Sequence, residues 1–296
     1  MNKTKVIIIG GGPAGIAAGI QLKRCEIDHI ILERDEVGGL LYNANLVENY
    51  PGFPGGISGQ KLIEIIKKQA ENFDLNIVHD EAISLNRFRR DYVINSVRDI
   101  YRADIVVVAS GTKPVAYDHT EIPADLPDRV LYEIKPIADI KAADIAIVGA
   151  GDAAFDYALN LSSNNRVLLF NRSRKTNCLP LLYQRVISNA NITYIEKADL
   201  KMIKRSNNSS MAVKFNVSGR SIAYNVNYLV FAIGRIPQVD FVSDDIKESY
   251  EKYMAEGTLY FVGDVKNADY RQCAIAMGDG IKAAMMIYNK LRSKKK

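Results

Sequence analysis

Residues 5–15 read KVIIIGGGPAG, and residues 143–154 read ADIAIVGAGDAA. In both, a short, branched apolar run predicts a buried strand, a glycine turn follows, and an apolar-periodic segment opens a helix. In the first copy Gly10, Gly12 and Gly15 stand at GxGxxG spacing. Gly10 serves the tight turn, Gly12 lets the backbone approach a pyrophosphate, and Gly15 lets helix and strand pack closely. Pro13 and Ala14 start a helix whose N-terminus offers amides and partial positive charge to phosphates. The next strand, HIILE at 29–33, ends in Glu33, 23 residues after Gly10. A carboxylate there can accept both hydroxyls of an adenosine ribose.

The second turn, Gly149-Ala150-Gly151-Asp152-Ala153-Ala154, lies 139 residues downstream and makes the chain an internal repeat. Its following strand, RVLLF at 166–170, ends in Asn171, and then come Arg172, Ser173, Arg174 and Lys175. An acid at that strand end favours the free 2′-hydroxyl of NAD. A neutral residue beside a basic cluster favours the 2′-phosphate of NADP. NADPH is therefore the expected nucleotide, with NADH and a merely solvated basic loop as the alternatives. Two dinucleotide sites in one chain suit a flavin held permanently and a visiting nicotinamide, with hydride passing between them.

Working outward, residues 34–58 are rich in glycine, proline and asparagine and read as a long functional loop, and 59–73 as a helix. Short strands are expected near 75–79, 81–87, 91–96 and 101–108, the last leading to Gly111-Thr112. Prolines at 114, 123, 127 and 136 mark 112–140 as a linker. Strands near 192–195, 211–217, 221–226 and 228–232 complete the second copy. TLYFVGDV at 258–265 reads as a strand ending in Gly263-Asp264, and Arg271-Gln272-Cys273 as the start of a helix running to about Asn289.

The 296 residues are 48% hydrophobic and 25% charged, the balance of a globular protein long enough for two domains. No apolar run approaches the roughly 18 residues of a membrane span. Cys25, Cys178 and Cys273 are too few and scattered for a disulfide scaffold. With His29, His79 and His119 they show no metal-ligand spacing. Lys3 and Lys5 before an apolar run imitate a signal peptide, but the glycines form an ordered motif and no cleavage-site break follows. Free thiols and the lack of a secretion signal make the cytoplasm the expected compartment. The net charge of +5 comes from 39 basic and 34 acidic residues. Part of the excess is a tail holding Lys290, Arg292, Lys294, Lys295 and Lys296, read as a solvated helix end in preference to a docking surface for an acidic protein or a polyanion. No nucleic-acid module is recognisable.

The ordered set GGGPAG (10–15), VGGLL and VENYPGFPG (37–41, 47–55), ASGT (109–112), GAGDAAFD (149–156), NRSR (171–174), AIGRIP (232–237), FVGDV (261–265) and YRQCA (270–274) spans nearly the whole chain. It resembles the thioredoxin-reductase-like branch of the flavin-dependent pyridine nucleotide-disulfide oxidoreductases. The resemblance implies an α/β fold of two Rossmann-like, three-layer ββα dinucleotide-binding domains, the second inserted in the first. FAD would belong to residues 1–113 and 235–296 and NAD(P)H to 114–234. By resemblance, Gly10, Gly12, Gly15 and Glu33 would hold the ADP half of FAD, and Gly39, Leu40 and Asn49 would border the flavin, with Gly111 nearby. Gly263 and Asp264 would meet the ribityl-pyrophosphate, and Arg271, Gln272 and Cys273 would open a helix at the pyrimidine edge. Gly149, Gly151, Asp152, Ala153, Arg172, Arg174 and Lys175 would serve the nicotinamide nucleotide. A homodimer is implied as well.

Members that reduce thioredoxin carry a CxxC dithiol shortly before the second glycine turn. The corresponding segment here, VLYEIKPIADI at 130–140, contains no cysteine. Without paired thiols the relay from flavin to a disulfide cannot run. The thioredoxin-reductase-type ferredoxin–NADP reductases also lack the dithiol and resemble this chain at GDAAFD, but carry a C-terminal extension over the flavin where KLRSKKK ends this one. The expected function is an NADPH-dependent flavoprotein oxidoreductase passing electrons to an external acceptor: ferredoxin, flavodoxin, a quinone or a small disulfide. The alternatives are a disulfide reductase using one cysteine or a partner's dithiol, and a non-enzymatic flavin-binding sensor. Cys273 stands at a helix start, which depresses a thiol pKa and would suit a redox role, but a small residue tolerated next to the cofactor explains it as well, and that is the favoured reading.

Overall fold

The computed structural model describes residues 2–293. The chain forms two compact units. One takes the chain up to Tyr42, then Val47–Lys113 and from Ile236 onward; the other takes Asn43–Leu46 and Pro114–Arg235.

In the first unit, β1 (Asn2–Ile9) leads through the glycine turn to α1 (Pro13–Arg24) and β2 (His29–Glu33). After a long loop come α2 (Gly59–Asn72), β3 (Ile77–His79), β4 (Ala82–Phe88), β5 (Asp91–Ser96) and β6 (Ile100–Val108). The parallel order is β3-β2-β1-β6. At β6 the sheet forks. Ile100–Ala103 pair antiparallel with β5, which pairs with β4, and Val106–Val108 pair parallel with a late strand, Leu259–Phe261. Alternation along β1 separates two faces. Ile7 and Ile9 join Leu85, Tyr92 and Ile94 of the antiparallel hairpin, whereas Ile8 meets α1 at Gly15. Sheet, hairpin and helices thus form the expected ββα layers.

The chain leaves through β7 (Thr112–Pro114) and enters the second unit, with β8 (Val130–Leu131), β9 (Asp144–Val148), α3 (Asp152–Leu161) and β10 (Arg166–Phe170). Then follow α4 (Pro180–Ile187), β11 (Ile192–Ile195), β12 (Ala198–Arg205), β13 (Met211–Val217), β14 (Arg220–Val226) and β15 (Tyr228–Phe231). A parallel sheet, β11-β10-β9-β15-β8, carries one core with Phe155 of α3. Its other face meets the antiparallel β12-β13-β14 sheet, where Phe170 stacks on Phe215 at 3.8 Å. The chain returns through β16 (Arg235–Pro237), which pairs with β7. It closes the first unit with α5 (Asp244–Glu248), α6 (Tyr250–Ala255), β17 (Leu259–Phe261) and α7 (Cys273–Ser293).

Several expectations change. The return point falls after Arg235 because its guanidinium pairs with Glu133 at 2.9 Å. Asn43–Leu46 joins the second unit because the buried Asn43 Oδ1 accepts the Ile134 and Lys135 amides, both at 3.0 Å. Residues 112–140 are no bare linker: Leu126, Ile134 and Ile137 are buried in the second unit. The strand expected at 258–265 stops at Phe261, and Gly263–Val265 form a 3-10 turn, since Gly263 takes φ +73°. Arg271 and Gln272 precede α7 instead of opening it, and α7 runs on to Ser293. β12 and α4 were not foreseen. Lys294, Lys295 and Lys296 lie outside the described residues. Among the described residues no helix is long and apolar enough to cross a membrane, and no histidine, cysteine and carboxylate cluster could hold a metal.

Candidate functional site

The first unit gathers its expected site residues around the turn from β1 to α1. Gly10 adopts φ +111°, and a β-carbon there would meet the Ala109 carbonyl oxygen at 2.4 Å. A β-carbon at Gly15 would lie 1.9 Å from the Gly10 carbonyl oxygen. Gly12, the N-cap of α1, differs: nothing stands within 4 Å of an added β-carbon. Only two of the three glycines answer to the protein's own packing. The third borders open space at a helix N-terminus whose first amides have no intrahelical partners, the arrangement a pyrophosphate requires. Pro13 occupies the first helical turn and Ala14 is buried against α7.

Glu33 ends β2 as expected, and its carboxylate is held from two sides. Oε2 accepts the Gly11 amide at 2.6 Å and Oε1 the Asp35 amide at 2.9 Å. A carboxylate oxygen can accept more than one hydrogen bond, so the group stays competent for ribose hydroxyls. Gly38, absent from the sequence expectation, donates its amide to the Gly11 carbonyl at 3.0 Å. Gly39, at φ +55°, then begins a 3-10 turn through Leu40 to Asn43, and a β-carbon on it would sit 3.5 Å from Gly12 Cα.

Residues distant in sequence close the same region. Asn49 Nδ2 donates to Gln272 Oε1 at 2.8 Å, just before α7. Gly263 lies against Ala14, where a β-carbon would meet the Ala14 methyl at 2.8 Å, and its amide bonds Asp279. Gly111, at φ +66°, accepts the Gln238 amide at 3.0 Å. Asp264 and Arg271 are half-buried. At Cys273 burial, reinforced by the nearby Asp264 carboxylate, pushes the thiol up to about 11 despite the helix start, in keeping with a small packed residue and against a redox role. Tyr50, which the sequence did not single out, has its phenol raised by burial and then by Cys273, and donates to Met277 Sδ at 3.2 Å.

The second unit repeats the turn. A β-carbon at Gly149 would meet the Ala232 carbonyl oxygen at 2.4 Å, while one at Gly151, the N-cap of α3, would meet nothing within 4 Å. Asp152 and Ala153 are exposed in the first turn of α3. The loop after β10 is drawn onto this turn. Thr176 Oγ1 and the Asn177 amide both donate to the Ala150 carbonyl, at 2.7 and 2.9 Å, and the Leu179 amide donates to Asp152 Oδ1 at 2.7 Å. Asn171 is buried; its Nδ2 donates to Tyr194 Oη and the Lys175 carbonyl, and its Oδ1 accepts the Ser173 amide. An aspartate could not supply the donated bonds. Arg172, Arg174 and Lys175 project from that braced loop into solvent.

The three cysteines are free thiols. Cys25 caps α1, Cys178 packs partly against the second unit's core, and Cys273 begins α7.

Comparison with known proteins agrees with this geometry. The sequence profile of the family described as pyridine nucleotide-disulphide oxidoreductase matches residues 4–280. The chain is 29% identical to the thioredoxin reductase of Chlamydia pneumoniae, covering 96% of this chain and 98% of that one. It is 28% identical to the thioredoxin reductase of Mycolicibacterium smegmatis, covering 95% and 94%. Among solved structures, the thioredoxin reductase of Lactococcus lactis superposes with a TM-score of 0.85 at 25% identity, over 98% of this chain and 99% of that one. Both strand–glycine–helix turns fall within the matched span, and the chain belongs to the pyridine nucleotide-disulphide oxidoreductase family as a thioredoxin-reductase-like oxidoreductase, a kind that uses FAD and NADPH.

Proposed function

We propose that the first unit holds FAD, the second binds NADPH, and electrons leave for an external acceptor without a cysteine pair of the chain's own. The carrying observation is the repeated open space beside Gly12 and Gly151, each at a helix N-terminus. FAD, when bound, supplies acceptance of hydride and its release as electrons. The chain's own residues orient and exclude. The α1 amides meet the pyrophosphate and Glu33 the ribose. Arg172, Arg174 and Lys175 meet a 2′-phosphate, because they are exposed cations on a loop that the neutral Asn171 braces.

The sequence has no cysteine in 130–140, and the remaining thiols are single and partly buried. Cys273, at about 11, is a thiol and not a thiolate at neutral pH, which weighs against it as a nucleophile toward disulfides. The acceptor is a small redox protein such as ferredoxin or flavodoxin, a quinone or a small disulfide. A net charge of +5 favours an acidic protein among these. The chain is proposed to work as a homodimer, which sedimentation of the holoprotein tests.

The reading is tested by purifying the protein anaerobically and titrating it separately with NADPH and NADH. The expected result is a yellow protein bleached at least about tenfold faster by NADPH than by NADH. A bound flavin that neither nucleotide reduces would overturn it.

A further inference from the structure

The loop between Glu33 and the 3-10 turn lies directly on the first phosphate turn. Gly11 is held by it at both ends of one residue: its amide donates to Glu33 and its carbonyl accepts from Gly38. Two side chains bracket the Gly38–Gly39 backbone, Glu36 before it and Tyr42 after it. They are joined directly, Tyr42 Oη donating to Glu36 Oε2 at 2.5 Å. Lys67 of α2 closes the ring by donating to Tyr42 Oη at 2.7 Å and to Glu36 Oε2 at 3.3 Å.

One helical turn earlier on the same face of α2 is Ile63. Its side-chain carbons stand 2.7–2.8 Å from where a β-carbon on Gly38 would be. One face of α2 therefore sets the loop twice, by contact under Gly38 and by hydrogen bonds across the loop's two sides. Gly38 itself is at φ +123°, where glycine is freely accommodated but loses the most backbone freedom on being fixed, so contacts that hold the loop offset that entropic cost. The Lys67 ammonium is raised in pKa, first by its bond to Tyr42 and then by Glu36, so it is charged throughout the neutral range.

We propose that Lys67, Tyr42 and Glu36 form a positioning latch that keeps the Gly38–Gly39 backbone against the phosphate turn and so sets how slowly FAD leaves the first unit. The inference rests on the reading that this turn holds FAD. Lys67 acts through the loop and is a positioning residue. The latch also sets the Lys67 ammonium beside the Glu36 carboxylate, which offsets negative charge on a loop bordering an anion site.

The test compares Lys67→Met, Tyr42→Phe and Lys67→Arg with the parent holoprotein. FAD release after dilution is followed by the rise in flavin fluorescence, and apoprotein stability by urea unfolding. Lys67→Met and Tyr42→Phe are expected to release FAD about fivefold faster, a size set by partly exposed polar links. Lys67→Arg, which keeps charge and donors, is expected within about twofold of the parent. The apoprotein midpoints should barely move. Unchanged release in Lys67→Met, equal acceleration in Lys67→Arg, or an apoprotein destabilisation as large as the loss of retention would each overturn the latch while leaving the FAD reading intact. Failure of the parent protein to take up FAD at all would overturn that reading, and the latch with it.

Discussion

A methyl group added at Gly12 and one added at Gly15 ask different things of the chain. Gly15 has no room, with the Gly10 carbonyl oxygen 1.9 Å from the added carbon. Gly12 has room and an ordinary φ of −73°. Gly12→Ala is therefore expected to unfold within about 0.5 kcal/mol of the parent as apoprotein, yet to bind FAD at least about tenfold more weakly. Gly15→Ala is expected to lose about 2–3 kcal/mol or more before any ligand is considered. Urea unfolding and FAD titration of the two variants check this; equal stability losses would show that Gly12 serves packing and not a ligand. The glycine spacing and Glu33 were legible because they lie within one local strand–turn–helix unit. Gly11 and Gly38 were not, because their roles are backbone bonds made across 22 and 27 residues.

At the scale of elements, α3 carries a titratable group at its contact with Asn43–Leu46. Asp156 Oδ2 accepts the Asn45 amide at 2.8 Å. Burial pushes its carboxyl up to about 6; Asp152 adds to the rise, while the Asn45 and Leu46 amides and Arg185 oppose it. Below about pH 3.8 folded and unfolded chains are both protonated at this site. Between 3.8 and 6 the folded chain holds the proton more tightly, so this contribution to stability falls as pH rises through that window. Above it the cost of the buried charge is fully present. Asp156→Asn keeps an acceptor oxygen and removes the charge, and is expected to stabilise the protein by about 1–3 kcal/mol at pH 7.5 and by less at pH 4.5. Denaturant unfolding at the two pH values checks it; an equal effect at both would refute the charge as the cause. The periodicity of α3 was readable from sequence, but what its Asp156 touches was not.

At the scale of the molecule, the repeat predicts separable ligand responses. FAD is expected to slow amide exchange in peptides covering 10–15 and 263–280, and adenosine 2′,5′-bisphosphate in those covering 149–154 and 171–179. Adenosine 5′-monophosphate should protect the latter at least about fivefold less, since it lacks the 2′-phosphate. Hydrogen exchange with mass detection reads each unit separately. Protection by the bisphosphate at the first turn instead of the second would reverse the assignment of the two nucleotides.

The sequence by itself determined two strand–glycine–helix turns, the carboxylate after one and the basic cluster after the other. These follow from apolar periodicity and from backbone geometry that only glycine tolerates, both local properties. Only the tertiary structure decided that Asn43 belongs with the second unit, that Asn171 is braced from within, and that Cys273 is pushed up instead of down. It also decided that Lys67 reaches the loop beside the first turn. Each of these depends on how deeply a group is buried and on partners distant in the chain, and neither burial nor such partners are written in the spacing of residues along it.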